Sequence, residues 1–196
     1  METVVYNPSN WLDPLDWSQV FPEPTRPLEI DVGCGKGGFL LWAAGVHPST
    51  NHLGIERQLV RLRKVDKKVQ TRQLANVRLL RIEAGYFVGK LIPLQSVNAY
   101  YIFFPDPWPK RRHQANRLFQ PEFVADLVRT LKPGGAVNVA TDDLDYFAQI
   151  QKVMHASGRF RENQADMLPV EAQTEFEKVF IARGRPIGRA KFLVES

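Results

Sequence analysis

Residues 28–38, Leu28-Glu29-Ile30-Asp31-Val32-Gly33-Cys34-Gly35-Lys36-Gly37-Gly38, decide the fold. Leu28–Val32 reads as a buried strand, and Gly33–Gly38 turns the chain into a helix expected over about Phe39–Gly45. Glycine tolerates the backbone angles of so tight a turn and lets a ligand approach the main chain. The rhythm repeats downstream with a strand at His52–Glu56 and a long basic helix at Gln58–Leu74, where Leu59, Leu62, Val65 and Val69 fall at helical spacing. Strands follow at Val77–Ile82 and Val97–Phe104, separated by a short helix at Tyr86–Leu91. Pro121–Leu131 reads as a helix, Lys132-Pro133-Gly134-Gly135 as a turn and Ala136–Ala140 as a strand. Asp142 or Asp143 is placed to cap a helix running to about Ala156. Arg159–Arg161 and Ile187–Val194 complete the strands, and Thr174-Glu175-Phe176-Glu177 fits a capping box opening a helix that stops at Gly184. This alternation predicts an α/β fold: an open, mostly parallel, seven-stranded Rossmann-like sheet with helices on both faces.

Residues 1–27, rich in proline and tryptophan (Trp11, Trp17, Pro22, Pro24, Pro27), are expected to form an irregular arm whose tryptophans pack onto the body. Residues 28–196 are expected to form one domain, a length sufficient for a real core. With 26 basic and 21 acidic residues the chain carries a net charge of +5, compatible with a nucleic-acid partner and equally with none. A single cysteine, Cys34, rules out an intramolecular disulfide and a cysteine metal cluster. Its place in the glycine loop, with no histidine nearby in sequence, reads as packing rather than chemistry. No segment has the apolar length to span a membrane and the N-terminus lacks a signal-peptide core, so a cytoplasmic location is expected.

Four strands each end in an acid at what should be one edge of the sheet: Asp31, Glu56, Glu83 and Asp106. Open α/β sheets bind ligands at that edge. Gly33, Gly35 and Gly38 satisfy the dinucleotide fingerprint, whereas Gly33, Gly35 and Gly37 after an acid satisfy the pattern for adenosylmethionine. Four carboxylates repel a pyrophosphate but suit a sulfonium carrying a ribose, an adenine amino group and an ammonium. The charge pattern therefore favours S-adenosyl-L-methionine.

Beyond the fourth strand lies Phe103-Phe104-Pro105-Asp106-Pro107-Trp108-Pro109-Lys110-Arg111-Arg112-His113. Proline fixes φ, so Asp106 is held rather than mobile. Lysine and arginine can anchor phosphates, and tryptophan offers a stacking face. A rigid acid beside a basic, aromatic loop suits a nucleobase flanked by phosphates. Lys110, Arg111, Arg112 and Arg117 are thus the first choice for RNA contacts. The basic helix around Arg61–Arg72 reads instead as a solvated face.

These motifs, with Gly54-Ile55-Glu56, Ala140-Thr141-Asp142 and Thr174-Glu175-Phe176-Glu177, resemble the bacterial tRNA (guanine-N7-)-methyltransferases, in order and over about Leu28 to Val194. The glycine loop is generic among methyltransferases, while the Pro-Asp-Pro-Trp-Pro-Lys stretch and the late Thr-x-Phe-Glu are specific. The resemblance implies a class I methyltransferase domain that moves a methyl group from S-adenosylmethionine to N7 of a guanine in tRNA, usually position 46 of the variable loop. It implies that Asp31, Glu56, Glu83 and Asp106 line the cofactor pocket, with Gly33, Gly35 and Gly37 and the neighbours Arg57 and Ala84. Asp106 would also stand nearest catalysis. Lys110, Arg112 and His113, then Asp142, and then Thr174, Glu175, Phe176 and Glu177 would meet the substrate. Where the family commonly has Glu and Asp this chain has Asp31 and Glu83, which keeps the charge and changes the reach by one methylene. The expected partner is tRNA, with no membrane and no metal, acting as a monomer or homodimer.

Guanine N7 carries a free lone pair, so the reaction needs alignment more than proton transfer. Asp106 could stabilise the charge that develops on the purine. Glu177 or Asp142 could accept from guanine N1–H and N2–H₂ and so reject adenine. Three other readings stay open on sequence: a methyltransferase for another RNA or a small molecule, a nicotinamide oxidoreductase, and an RNA-binding module without turnover. The second lacks an obvious Tyr-x-x-x-Lys or histidine proton donor.

Overall fold

The computed structural model describes residues 2–164 and 169–195. In chain order the elements are α1 (Trp17–Val20), β1 (Leu28–Val32), α2 (Gly38–Val46), β2 (Asn51–Ile55), α3 (Leu59–Thr71), β3 (Val77–Leu80) and α4 (Ala84–Tyr86). There follow β4 (Val97–Phe103), α5 (Pro121–Thr130), β5 (Leu131–Thr141), α6 (Leu144–Ala156), β6 (Phe160–Asn163), α7 (Glu175–Ala182) and β7 (Gly188–Val194). The seven strands form one sheet in the order β3-β2-β1-β4-β5-β7-β6. The first five are parallel to their neighbours, and β7 is inserted antiparallel between β5 and β6. β1 pairs with β2 on one side and β4 on the other, so the winding direction reverses there. A reversal point leaves a crevice at the strands' carboxyl ends, where open sheets take ligands.

Side-chain alternation along the strands divides the core. One face carries Ile30, Ile102 and Val137 against Leu127 of α5 and Tyr146 and Ile150 of α6. On the other face Leu40 and Leu41 of α2 meet Leu62, Val65 and Val69 of α3 over Leu79. Those three α3 residues are spaced three and four apart and fully buried, while most of the other helix residues are charged. Each contributes about 1.5–3 kcal/mol by leaving water, which is what keeps so basic a helix on the sheet.

The expected strands and long helices are present with ends shifted by a few residues. Four local features differ from expectation. Asp16 caps a four-residue helix, α1, within the N-terminal segment. There Leu15, Val20 and Phe21 are core residues with Trp17 against them, while Trp11 stays near the surface. Residues 4–6 run along β3, with the Leu79 amide donating to the Val4 carbonyl at 3.0 Å and the Tyr6 amide to the Leu79 carbonyl at 2.8 Å. The short helix before β4 begins at Ala84 and widens into a π turn over Phe87–Leu91. Lys132–Gly135 is a bulge inside β5 rather than a turn before it: across from Val97 to Ala99, β5 advances from Leu131 to Ala136.

Gly54 shows why β2 needs a glycine. A Cβ there would lie 2.6 Å from Leu40 Cδ2 and 3.1 Å from Cys34 Sγ, so α2 and the glycine loop pack directly on the strand backbone. Gly54→Ala is therefore expected to cost about 1–3 kcal/mol by overpacking, read as a lower denaturant midpoint at unchanged slope; an unchanged midpoint would show that α2 yields freely.

Candidate active site and cofactor crevice

The glycine loop adopts the turn its sequence requires. Gly33, Gly35 and Gly37 have φ of 77°, 55° and 77°, a region that residues with a Cβ rarely enter. The Gly33 and Cys34 amides donate to the Ile55 carbonyl at 2.9 Å, tying the loop to the end of β2. Beside it opens a cavity of about 740 Å³ lined by residues from every strand end on this edge. That volume fits a nucleoside-sized ligand with room for a second group.

All four predicted acids line the cavity, in distinct settings. Asp31 is 5% exposed. Burial, and then the neighbouring Glu56, push its carboxyl up to about 7. Glu56, also buried, accepts from the Gln58 amide at 2.7 Å and lies 3.9 Å from the Arg61 guanidinium. Glu83 lies past the end of β3 and caps α4, its two oxygens accepting from the Gly85 and Tyr86 amides at 2.8 Å. Asp106 is exposed at the mouth, three residues past β4. Burial raises the Cys34 thiol well above its usual range, with Asp31 and Glu56 adding to the effect, so it stays protonated as a packing group.

The loop after β4 carries two unusual backbones. Phe104 and Trp108 have φ of 53° and 43°, strained positions that flank Asp106. The Phe104 amide donates to the Ala140 carbonyl at 2.7 Å, which anchors the loop's first end on β5. Trp108 is 37% exposed and Phe176 52%, large apolar side chains left open on the cavity rim. Phe176 stacks on Phe180 at a 19° interplanar angle, and Phe104 packs against Phe180 at 5.5 Å between centroids.

The predicted substrate residues divide into those on the cavity and those off it. Asp142, Thr174, Glu175 and Phe176 line it. Asp143 takes the N-cap of α6 by accepting from the Tyr146 amide at 2.8 Å, which frees Asp142 to face the crevice. There Asp142 accepts from Arg185 at 2.8 Å. Thr174 caps α7 through the Glu177 amide, whereas the Glu177 carboxylate is 2% exposed and accepts from Arg189 at 2.6 Å. The capping box is thus half used, and Glu177 is not among the cavity residues. Arg57 and Ala84 line the cavity; Gly37 stands behind it, capping α2. Lys110 and Arg112 are exposed on the rim loop outside the cavity, and His113 packs edge-on against Trp108 at 6.0 Å. Arg117, grouped with them in sequence, is buried.

Sequence reasoning passed over several site residues. Arg185 and Arg189 partner the acids of the substrate side, and Leu118, Val179 and Phe180 supply apolar lining. The helical spacing of Phe176, Val179 and Phe180 was a signal for that lining; nothing local in sequence pairs Arg185 with Asp142, 43 residues away.

Asp31 tests the fit to a cation. Both influences on its carboxyl push the same way, against ionisation, and a bound ammonium or sulfonium would reverse them. The glycine cradle, the acids and the apolar wall at Ile82, Ala84 and Leu118 together suit an adenosine bearing positive charge.

A family profile described as "Putative methyltransferase" (Methyltransf_4) matches residues 25–190. A protein of Thermosynechococcus vestitus named tRNA (guanine-N(7)-)-methyltransferase is 33% identical, over 90% of this chain and 84% of the relative. One of the same name from Rubrobacter xylanophilus is 31% identical over 94% of this chain and 84% of the relative. Among solved structures, the 16S rRNA methyltransferase KamB superposes with a TM-score of 0.64 at 14% identity, covering 87% of this chain and 88% of that one. A SAM-dependent methyltransferase from Aquifex aeolicus superposes with a TM-score of 0.60 at 15% identity, covering 86% and 82%. The structural matches establish the Rossmann-like methyltransferase fold.

The raised Asp31 carboxyl sets a pH dependence. The unfolded group ionises near 3.8 and the folded one near 7, so folding favours the protonated form. The stability this gives is complete below about pH 4 and is lost as pH rises through 7. Asp31→Asn, which cannot ionise, should match the parent near pH 4 and exceed it at pH 8 by something on the order of 4 kcal/mol. Denaturation of the ligand-free proteins across that range checks this; parallel curves would contradict it.

Proposed function

The chain belongs to the tRNA (guanine-N7-)-methyltransferase family, and from that membership together with the acid-lined crevice we infer that it transfers a methyl group from S-adenosyl-L-methionine to N7 of a guanine in tRNA. The observation that carries the reading is the convergence of Asp31, Glu56, Glu83 and Asp106 on one cavity beside an aromatic rim. The cofactor supplies an electrophilic methyl group on a sulfonium.

Asp31, buried under the glycine loop, would hold the positive end of the cofactor, and Glu56 would accept from its ribose. The Glu83 oxygens are already engaged with two amides, so Glu83 acts by fixing the α4 turn and adding negative potential at the adenine end. Asp106 faces the junction between the cofactor crevice and the rim, where it offsets charge developing on the purine. Trp108 and Phe176 present open faces for the guanine ring, since stacking on an aromatic is worth about 1–3 kcal/mol per base. Asp142 is the acceptor for guanine N1–H and N2–H₂, and Arg185, now held on it, is freed to meet a phosphate. Glu177 serves this side indirectly by holding Arg189. Lys110 and Arg112 anchor backbone phosphates next to the extruded base. The target is position 46 of the variable loop.

No helix among the described residues is long and apolar enough to cross a membrane. The protein works in the cytoplasm, where its tRNA substrate is found, needs no metal, and acts as a monomer or homodimer.

Three outcomes test this reading. Asp106→Asn should lower kcat by about 10²-fold or more while cofactor affinity by calorimetry stays close to that of the parent, and a tRNA transcript with adenine at position 46 should accept no methyl group. Undiminished turnover by the variant would remove Asp106 from catalysis, and full methylation of the altered transcript would move the target. Lys110→Ala with Arg112→Ala should weaken tRNA binding and reduce the slope of log affinity against log salt by about one per lost contact; an unchanged slope would place the phosphate surface elsewhere.

A further inference from the structure

Arg117 stands eleven residues after Asp106 in a run of cations, yet it is 5% exposed. Among the described residues its guanidinium has three partners, and each is uncharged. Nε donates to the Pro107 carbonyl at 2.7 Å. Nη1 donates to Gln149 Oε1 at 2.5 Å. The guanidinium carbon lies 4.7 Å from the centroid of the Tyr146 ring. Gln149 and Tyr146 are both on α6, and both also bond the backbone of Phe119: the Gln149 amide donates to its carbonyl at 3.4 Å, and its amide donates to the Tyr146 hydroxyl at 3.2 Å. The cradle is therefore built on a helix packed in the core.

Burying a cation on neutral partners is costly, because hydrogen bonds and a ring face replace its hydration only in part. Stability alone does not account for such a group. What it holds is informative: Pro107 follows Asp106 directly, and the loop it belongs to is strained at Phe104 and at Trp108. Strained backbones persist only where their surroundings over-determine them. One end of this loop is tied through the Phe104 amide to β5. The other end is tied through the Pro107 carbonyl to Arg117.

We propose that Arg117 is a positioning residue for methyl transfer: held against α6 by Gln149 and Tyr146, it clamps the Pro107 carbonyl and so fixes the direction of the Asp106 carboxylate and the Trp108 ring at the crevice mouth. The inference rests on the catalytic reading of Asp106. A misplacement of about 1 Å can cost roughly 10²-fold in rate, so the clamp acts on kcat and leaves the glycine loop and the acids after β1, β2 and β3 in place.

The test uses the full chain with S-adenosylmethionine and tRNA. Arg117→Met should lower kcat by about 10²-fold, with cofactor affinity and the KM for tRNA each changed by less than about threefold. Arg117→Lys, which keeps the charge and one donor, should recover part of the loss. Should Arg117→Met fail to fold by circular dichroism, Gln149→Leu carries the same test with a loss of about tenfold. In the folded case the double variant should be no worse than Arg117→Met alone, since both act through one contact. A kcat within threefold of the parent in the folded variant, additive losses, or cofactor affinity falling in step with kcat would overturn the proposal. Asp106→Asn measured alongside separates the two ideas: active Asp106→Asn defeats the catalytic reading, whereas inactive Asp106→Asn with active Arg117→Met defeats this one alone.

Discussion

A carboxylate buried with no counter-charge among the described residues is the constraint on which the site depends. Asp31 lies one residue from the end of β1, at the point where strand order reverses, with the glycine loop over it and Glu56 beside it. Ionisation there is opposed by burial and by Glu56, so the site favours a ligand that carries positive charge. The sheet creates this condition without special devices. Parallel strands all end on one edge, and an acid placed at or just after each end must face the same crevice. Topology combined with four single residues thus gathers the acids on one cavity, and the glycines decide how closely a ligand can approach them.

The second half of the site obeys a different rule. Its residues come from the loop after β4, from the turn before α6 and from α7, segments far apart in sequence. They are positioned by capping and by ion pairs rather than by strand register. Asp143 takes the α6 cap and leaves Asp142 facing the crevice; Thr174 takes the α7 cap and leaves Phe176 on the rim. Arg185 and Arg189 neutralise two acids that would otherwise crowd this side. The partly exposed pair, Arg185 with Asp142, is worth little to stability, because solvent screens it. In the proposed function this pair exchanges an internal partner for an external phosphate.

How much of this was legible in the sequence depended on how local each feature is. The strand–glycine–helix unit at Leu28–Gly38 and the spacing of Leu62, Val65 and Val69 are local, and the structure keeps them. So is the placing of an acid at each strand end, although Glu83 lies farther past β3 than periodicity suggested and spends its oxygens on a cap. In sequence Lys132–Gly135 reads as a turn because glycine and proline signal turn and bulge alike, and strand pairing decides between them. Charge misled where burial was decisive. Arg117 reads in sequence as one more phosphate anchor beside Lys110–Arg112, and its burial is set by α6, some thirty residues later. Glu177 reads as a free acceptor, until β7 brings Arg189 to it.

An acid-lined sheet edge and a clamped aspartate loop are proposed to carry out methylation of guanine N7 in tRNA together. The most direct measurement incubates the purified chain with radiolabelled S-adenosylmethionine and bulk tRNA, digests the product to nucleosides and resolves them by chromatography. The account predicts label in 7-methylguanosine. Label in a different nucleoside, or none at all from protein that binds the cofactor, would contradict it.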